Sequence, residues 1–413
     1  MRLFLLILVA LSGAVIHAQS TATVQELEAS ARRNLAARDA ASALADYRKL
    51  AEMVPQSADY QDEIGFLLAA TNRASEAIPY FQRATALNPK MAQAWFHLGV
   101  ARLILQQGSG ISDLEKAVAL DPAKADYHFR LGTAYNEISR YSDAVTQLRI
   151  AAKRLPSKGA VWANLGEALQ QNGQFKDAKE AYRQAVALEP TNTAVRNSYG
   201  AMLIKCGDPA AGLAQFKKIL EREPDNVRVL VNVGYAYIGA GDYKEAIRHL
   251  SQVVKKHPDA GDAHYDLGVA YKQSDDLQHA RTELEQAVKF APSIVEAHYL
   301  LALTCVDLGE TNEAVSELRT AVKQRPTYSE AWFELGTVLK DQGDADGAIQ
   351  ALQRSVALDA TDAGAFNTLG LLLKRKGDSE GSKQAFAKAA ALRQAEADAK
   401  RRKLEQGTAK PSP

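Results

Sequence analysis

The sequence predicts an all-α fold, a solenoid of stacked helical hairpins, and two periodicities predict it. Proline returns every 34 residues, at Pro55, Pro89, Pro122, Pro156, Pro190, Pro224, Pro258, Pro292 and Pro326, with only the step from Pro89 to Pro122 shortened to 33. Glycine keeps the same register at Gly65, Gly99, Gly132, Gly166, Gly200, Gly234, Gly268, Gly336 and Gly370, and Ala302 fills the one gap. A single period held by two residue types over roughly 300 residues marks a stacked array rather than one globular core. The array uses nearly the whole chain, which argues against an enzyme.

Each repeat reads as two helices. With the recurrent glycine at position 8 and the proline at position 32, residues 159–192 place Trp162, Leu165, Gly166 and Leu169 at positions 4, 7, 8 and 11, one face of a helix. A break at Asn172-Gly173 follows. Ala178, Tyr182, Ala185 and Val186 then form the apolar face of a second helix, which Pro190 stops. Position 20 is nearly always alanine (Ala77, Ala144, Ala178, Ala246, Ala280, Ala314, Ala348), so the two helices are expected to approach closely there. Gly173, Gly207, Gly241, Gly309, Gly343 and Gly377 at position 15 suit a left-handed helix terminus. Asp208, Asp242, Asp344 and Asp378 follow directly, as N-caps of the second helix.

Trp95-Phe-His-Leu-Gly99, Trp162-Ala-Asn-Leu-Gly166 and Trp332-Phe-Glu-Leu-Gly336, with Leu131-Gly132-x2-Tyr135 and Leu267-Gly268-x2-Tyr271, give the arrangement W-x2-L-G-x2-Y…A-x3-F…A…P. It resembles the tetratricopeptide repeat over residues 24–396, about nine tenths of the chain. The resemblance implies a right-handed superhelical solenoid of eleven tandem hairpins. The first repeat is degenerate, with Ala31 at the glycine position, and the last has Ser382 at position 20, as befits capping repeats. The third is the short one. Its missing residue is expected in the turn between Gly99 and Gly110, with Ser112 and Glu115 as a capping box for a shortened second helix.

Residues 1–18 read as a secretory signal peptide: one basic residue, Arg2, an apolar stretch, then small residues. Cleavage is expected after Ala18, with Ser20 or Ala22 as later alternatives, and an uncleaved anchor as the competing reading of a segment short for a spanning helix. Residues 19–23 form a short lead. No other segment is apolar enough to span a membrane. The mature chain is expected to be exported, periplasmic or secreted, and the style of the signal points to a bacterium. Residues 397–413 read as a basic helical extension, with Lys400–Lys403 as cations near a helix C-terminus, and a disordered tail. Cys206 and Cys305 lie three repeats apart, too far for a disulfide.

Lysine and arginine number 50 against 49 acidic residues, so no basic field suggests nucleic acid. Nucleotide-binding and metalloprotease motifs are absent and no cofactor is implied. His128, His264 and His298 recur at position 4, the tryptophan position, and read as core histidines rather than a metal site. No catalytic set emerges, because a solenoid keeps distant repeats apart.

What remains is a surface. In tetratricopeptide proteins, first-helix positions 2, 5, 9, 12 and 13 line the concave groove. Position 5 is aromatic at Phe96, Phe129, Tyr265, Tyr299 and Phe333, and position 9 adds Phe66 and Tyr235. Tyr265, Tyr299 and Phe333 fall in consecutive repeats, as ligand-contacting rungs or as repeat packing. Asn164 and Asn232 at position 6 are candidates to bond an extended peptide backbone, and Lys272 and Lys340 to take acidic groups. The family's carboxylate clamp, lysine at 5 with asparagine at 9, occurs in no repeat. The sequence thus points to a non-enzymatic scaffold or assembly factor of the cell envelope that holds a protein or extended peptide in its groove. The alternatives are a carbohydrate-binding periplasmic adaptor for polysaccharide export and a non-catalytic arm of a glycosyltransferase complex.

Overall fold

The structure, a computed structural model, describes residues 23–408, with side chains through Arg402. The expected signal segment 1–18, most of the 19–23 lead and the last five residues lie outside the described residues. The described chain is helical throughout, without a strand. Helix α1 spans 23–36, and α2 (Ala40–Met53), α3 (Ala58–Ala70), α4 (Ala74–Leu87), α5 (Ala92–Ile104) and α6 (Gly110–Leu120) follow. Next come α7 (Ala125–Glu137), α8 (Tyr141–Arg154), α9 (Gly159–Gln171), α10 (Phe175–Leu188) and α11 (Thr193–Lys205). The second half holds α12 (Pro209–Leu220), α13 (Val227–Gly239), α14 (Tyr243–Lys256), α15 (Gly261–Gln273) and α16 (Leu277–Phe290). It ends with α17 (Val295–Asp307), α18 (Thr311–Gln324), α19 (Ser329–Asp341), α20 (Ala345–Leu358), α21 (Ala363–Arg375) and α22 (Ser379–Thr408). The chain divides into two compact units between Met202 and Leu203.

Neighbouring helices pack in sequence from α2 to α10 and from α12 to α22, and first helices also touch the next first helix: α3, α5, α7 and α9 in the first unit, and α13, α15 and α17, then α19 and α21, in the second. The contact inside a hairpin is set by position 8 against the side chain at position 24 and the backbone at position 20. Ala77, Ala144, Ala178, Ala246, Ala280, Ala314 and Ala348 are wholly buried. A Cβ added to Gly132 would lie 2.6 Å from Leu148 Cγ, and one on Gly234 would lie 2.3 Å from Leu250 Cδ2. In the last hairpin Ser382 replaces the alanine, and its buried hydroxyl donates to the Gly370 carbonyl at 2.9 Å.

The turns behave as their residues dictate. The six glycines at position 15 all take positive φ, 75° to 87°. Where glycine is missing, Arg38, Asn72, Gln106, Ser139 and Asp275 adopt φ near 60° in its place. Asp208, Asp242, Asp344 and Asp378 each accept a hydrogen bond from a backbone N–H three residues on.

The shortened repeat departs from expectation. Helix α6 begins at Gly110, before Ser112, so no capping box forms. Ser112 sits inside the helix and donates its hydroxyl to the Ser109 carbonyl at 2.8 Å. The physical reason is the pair Gly99 and Gly110. With no Cβ on either side, the two backbones approach closely enough that a Cβ on Gly110 would lie 2.6 Å from Gly99 O, and the second helix starts at that contact.

The proline and the position-4 residue belong to one device. The indole N–H of Trp95, Trp162 and Trp332 donates to the carbonyls of Pro89, Pro156 and Pro326 at 2.9, 2.9 and 3.0 Å. Nε2 of His128 and His264 pairs with the carbonyls of Pro122 and Pro258, each at 3.0 Å. Arg196 reaches the Pro190 carbonyl at 2.6 Å. At His298 the link to the Pro292 carbonyl is made by Gln324 instead, at 3.0 Å. The carbonyl at the end of one repeat accepts from a side chain six residues on, and indole, imidazole and guanidinium all supply the donor.

Candidate functional site

The histidines are occupied by this packing. Nδ1 of His128 lies 2.7 Å from Gln147 Oε1, that of His264 2.6 Å from Glu283, and that of His298 2.5 Å from Glu317. At His264 burial opposes the charge, but the Glu283 carboxylate and the Pro258 carbonyl outweigh it and raise its pKa. One further cluster, Cys305, Glu310 and Glu313, brings metal-type ligands within 4.8 Å of one another. It is built around a guanidinium: Arg281 donates to Glu310 at 2.6 Å and lies 3.4 Å from Glu313. Burial, then the Glu313 and Glu310 charges, push the Cys305 thiol up to about 12, which keeps it protonated.

The first-helix face carries the candidate groove residues, and the structure sorts them. Tyr265, Tyr299 and Phe333 are half-buried and packed against one apolar cluster of the second unit, with Tyr299 5.0 Å from the Tyr328 ring. Phe96 stacks on Tyr127 at 4.6 Å, and Lys158 Nζ lies 4.7 Å over the Phe129 ring. The exposed aromatics are those at position 9: Phe66 is 44% exposed and Tyr235 38%.

The polar candidates are mostly engaged within the fold. Lys272 is salt-bridged to Asp307 of the next repeat, and Lys340 lies 3.1 Å from Asp341. Position 12 thus meets position 13 of the next repeat at Lys272, whereas Lys340 pairs with its own neighbour on α19. Asn164 donates to Ala160 O at 2.9 Å and accepts from Thr133 at 3.3 Å, while Asn136 donates to its carbonyl at 3.1 Å. This network ties α7 to α9.

Between successive first helices lie cavities. One of about 160 Å³ separates α5 from α7 and is lined by Val100, Leu103, Ile104, Arg130 and Glu137 among others. A second, about 300 Å³, lies between α9 and the first turns of α11, against Asn164, Glu167, Gln170, Gln171 and Ser198. The third, in the second unit, is also about 300 Å³ and lies between α13 and α15. Arg228, Val231, Asn232 and Tyr235 form its α13 wall, and Asp262, Tyr265 and Asp266 its α15 wall. It gathers three residues singled out from sequence, Asn232, Tyr235 and Tyr265. It adds three that sequence reasoning passed over: Arg228, Asp262 and Asp266.

Local sequence explains both walls. Asn226 caps α13 by accepting from Val229 N at 3.3 Å. Gly261 lets α15 start against the end of α16, where a Cβ would meet Ala291 Cβ at 2.5 Å. Asp262 and Asp266 stand four residues apart, so one helix face presents both carboxylates. Burial, reinforced by the Asp262 charge, pushes the Asp266 carboxyl up to about 7. The tyrosine hydroxyl of Tyr265 is pushed up to about 12 by burial and then the Asp266 charge, and stays neutral.

In the first unit the same face carries a buried acid. Asp62, 1% exposed, accepts from Gln93 at 3.1 Å and pairs with His97 Nδ1 at 2.9 Å. Burial, then Asp62, raises the neighbouring Glu63 carboxyl above its ordinary value. The signal for both acidic pairs was present as carboxylates at positions 2, 5 and 6, but not their enclosure.

Comparison with known proteins settles the family. Tetratricopeptide repeat models match residues 63–110, 108–160, 237–304, 299–363 and 363–396, and that of the cytochrome c-type biogenesis protein H TPR domain matches residues 136–265. The chain belongs to the tetratricopeptide repeat proteins. No curated protein sequence matches it. Among solved structures, a tetratricopeptide repeat protein from Parabacteroides merdae ATCC 43184 is 15% identical, covers 60% of this chain and 98% of its own, and has a TM-score of 0.55. MamA is 25% identical over 40% of this chain and 97% of its own, with a TM-score of 0.39. The human IFIT1 dimer with m7Gppp-AAAA is 16% identical over 82% and 90%, at 0.46. The first of these shares the fold. Tetratricopeptide scaffolds are generally non-catalytic and bind proteins or peptides. No helix among the described residues is long and apolar enough to cross a membrane.

Proposed function

We propose that this tetratricopeptide repeat protein is an exported, non-enzymatic scaffold or assembly factor of the cell envelope, holding a protein partner by an extended segment along its first-helix face. The observation that carries the reading is the recurrence of cavities between successive first helices, at α5/α7 and α9/α11 in one unit and α13/α15 in the other. Packed helices stand about 8–10 Å apart. An extended chain advances about 3.3 Å per residue, so a bound segment crosses one first helix about every three residues and passes from the α5/α7 niche to the α9/α11 niche in about six. Similarity of residues 136–265 to the TPR domain of a cytochrome c biogenesis protein supports an assembly role. A carbohydrate ladder is the weaker reading, since the position-5 rings are half-buried against their neighbours and the niches are walled by amides and charges.

Site-directed photocrosslinking tests this. A benzophenone amino acid at Phe66, Tyr235 or Leu371, all on first helices, is expected to crosslink a protein through one short segment. The same group at Lys323 or Arg354, exposed on second helices, is expected to give none. Equal yields from both faces would refute the assignment. Fractionation of cells and N-terminal sequencing of the mature chain test the export, with a start near residue 19 as the expected result.

A further inference from the structure

The α13/α15 cavity brings together charges that find no partner within the fold. Several ionic groups of the second unit are matched: Lys272 with Asp307, Arg281 with Glu310, and Arg325 with Glu296. Inside it, Asp262, Asp266 and Arg228 make no hydrogen bond or ion pair among the described residues, although all three line one space of about 300 Å³. Asp266 is half-buried where it lines the cavity, and Asp262 and Arg228 are exposed. A half-buried carboxylate without a partner is costly to keep charged, since burial disfavours its charge and a second carboxylate nearby disfavours it further. A cation placed between the two relieves both terms.

We propose that this cavity is a subsite for a cationic side chain, lysine or arginine, projecting from the extended peptide held on the first-helix face. The inference rests on the reading of that face as a peptide site and assigns the chemistry of one position on it. Two carboxylates oppose one guanidinium, so the balance of charge in the cavity favours a cation. The walls fit the rest of such a side chain. Val231 and the rings of Tyr235 and Tyr265 offer apolar surface for a methylene stem and π faces for its charged end. Asn232 stands beside them, with amide chemistry suited to a peptide backbone. Arg228, at the start of α13, is the one group that disfavours the cation. An anionic side chain would face both aspartates. The size suits one side chain, not a folded domain.

The test uses the full-length chain with valine methyl labels, following Val231 by NMR during titration. The probes are Nα-acetyl-arginine methylamide and Nα-acetyl-lysine methylamide, with the glutamine and glutamate analogues as controls. The cationic probes are expected to saturate in the millimolar range and at least tenfold below the glutamine analogue. Asp262→Asn with Asp266→Asn is expected to weaken them at least tenfold, and Asp262→Asn alone to weaken them partly. Arg228→Gln is expected to tighten them about threefold. Far-UV circular dichroism checks that each variant is folded, and the single variants carry the test if the double one is not. The proposal is overturned if the cations bind no better than the glutamine analogue, if the aspartate variants bind as the parent does, or if Arg228→Gln weakens them. Failure here with a first-helix crosslinking pattern would leave the peptide-binding face standing. Failure of that pattern with cation binding intact would remove the face and keep the pocket.

Discussion

Replacing Gly110 by alanine probes a close approach of two helix backbones within one hairpin. The added Cβ would sit 2.6 Å from Gly99 O, 2.8 Å from Leu103 Cγ and 3.1 Å from Leu103 N. Ordinary contacts lie at about 3.5–4.0 Å, so a shift of nearly 1 Å is demanded. At Gly132 the obstruction is the end of a flexible leucine, which can rotate away. At Gly110 two of the three obstructing atoms are backbone, so α5 and α6 must separate. Overpacking costs about 1–3 kcal/mol, and a backbone clash belongs at the upper end. Alanine regains up to about 1 kcal/mol of helix propensity, less at the first residue of a helix. The net expectation is a loss of about 2 kcal/mol. Gly108→Ala is the control, for nothing lies within 4 Å of its added Cβ.

Instability in a repeat array is local before it is global. Hydrogen exchange read by mass spectrometry on peptides from α5 and α6 is therefore the sharper assay, with urea denaturation beside it. About 2 kcal/mol corresponds to exchange faster by about thirtyfold. The acceleration should be largest in α5 and α6 and fade in helices further along the unit. Exchange in Gly110→Ala matching that in Gly108→Ala would show that the two backbones do not meet as described.

Four further outcomes are expected. Ala178→Leu should cost about 1–3 kcal/mol in urea titrations, as the residue is wholly buried. Glu180→Leu should change little, because its pairing with Arg183 is solvent-exposed and worth at most about 1 kcal/mol. Changing Tyr265, Tyr299 and Phe333 together to alanine should lower the unfolding midpoint, since the rings pack on the core of the second unit; Tyr235→Ala should shift it by no more than about 0.5 kcal/mol. The Asp266 carboxyl is raised from 3.8 to about 7, so the folded state binds the extra proton between those values and stability falls as pH rises through that window. Asp266→Asn should therefore match the parent below about pH 4 and exceed it increasingly up to about pH 7, then hold a constant advantage; melting curves at pH 4, 6 and 8 with a constant offset would contradict the enclosure of that carboxyl.

The hairpin architecture was legible because its constraints are local. A left-handed turn residue, an aspartate that caps the next helix and a glycine facing an alanine each depend on a few neighbouring positions, and the chain repeats them. The interchange of tryptophan, histidine and arginine at position 4 has a common cause in the proline carbonyl, which accepts from each of them. Yet the spacing was visible: Pro89 to Trp95, Pro122 to His128 and Pro156 to Trp162 are all six residues. The capping box at Ser112 failed because a local motif was weighed without the backbone contact between Gly99 and Gly110, which overrode it.

The candidate site was less legible because its chemistry depends on pairing between repeats. Lys272 reads as a groove cation until Asp307, 35 residues on, is found beside it. Asn164 reads as a free amide until Thr133 and Asn136 of the preceding repeat engage it. The residues left unmatched are the informative ones, and they emerge only after every such pair has been struck out. Arg228, Asp262 and Asp266 survive that subtraction around one open cavity. In a fold whose repeats are selected to satisfy one another, a half-buried charge such as Asp266 that the neighbouring repeat does not satisfy points to a group from outside the chain. For two carboxylates facing a single guanidinium, that group carries positive charge.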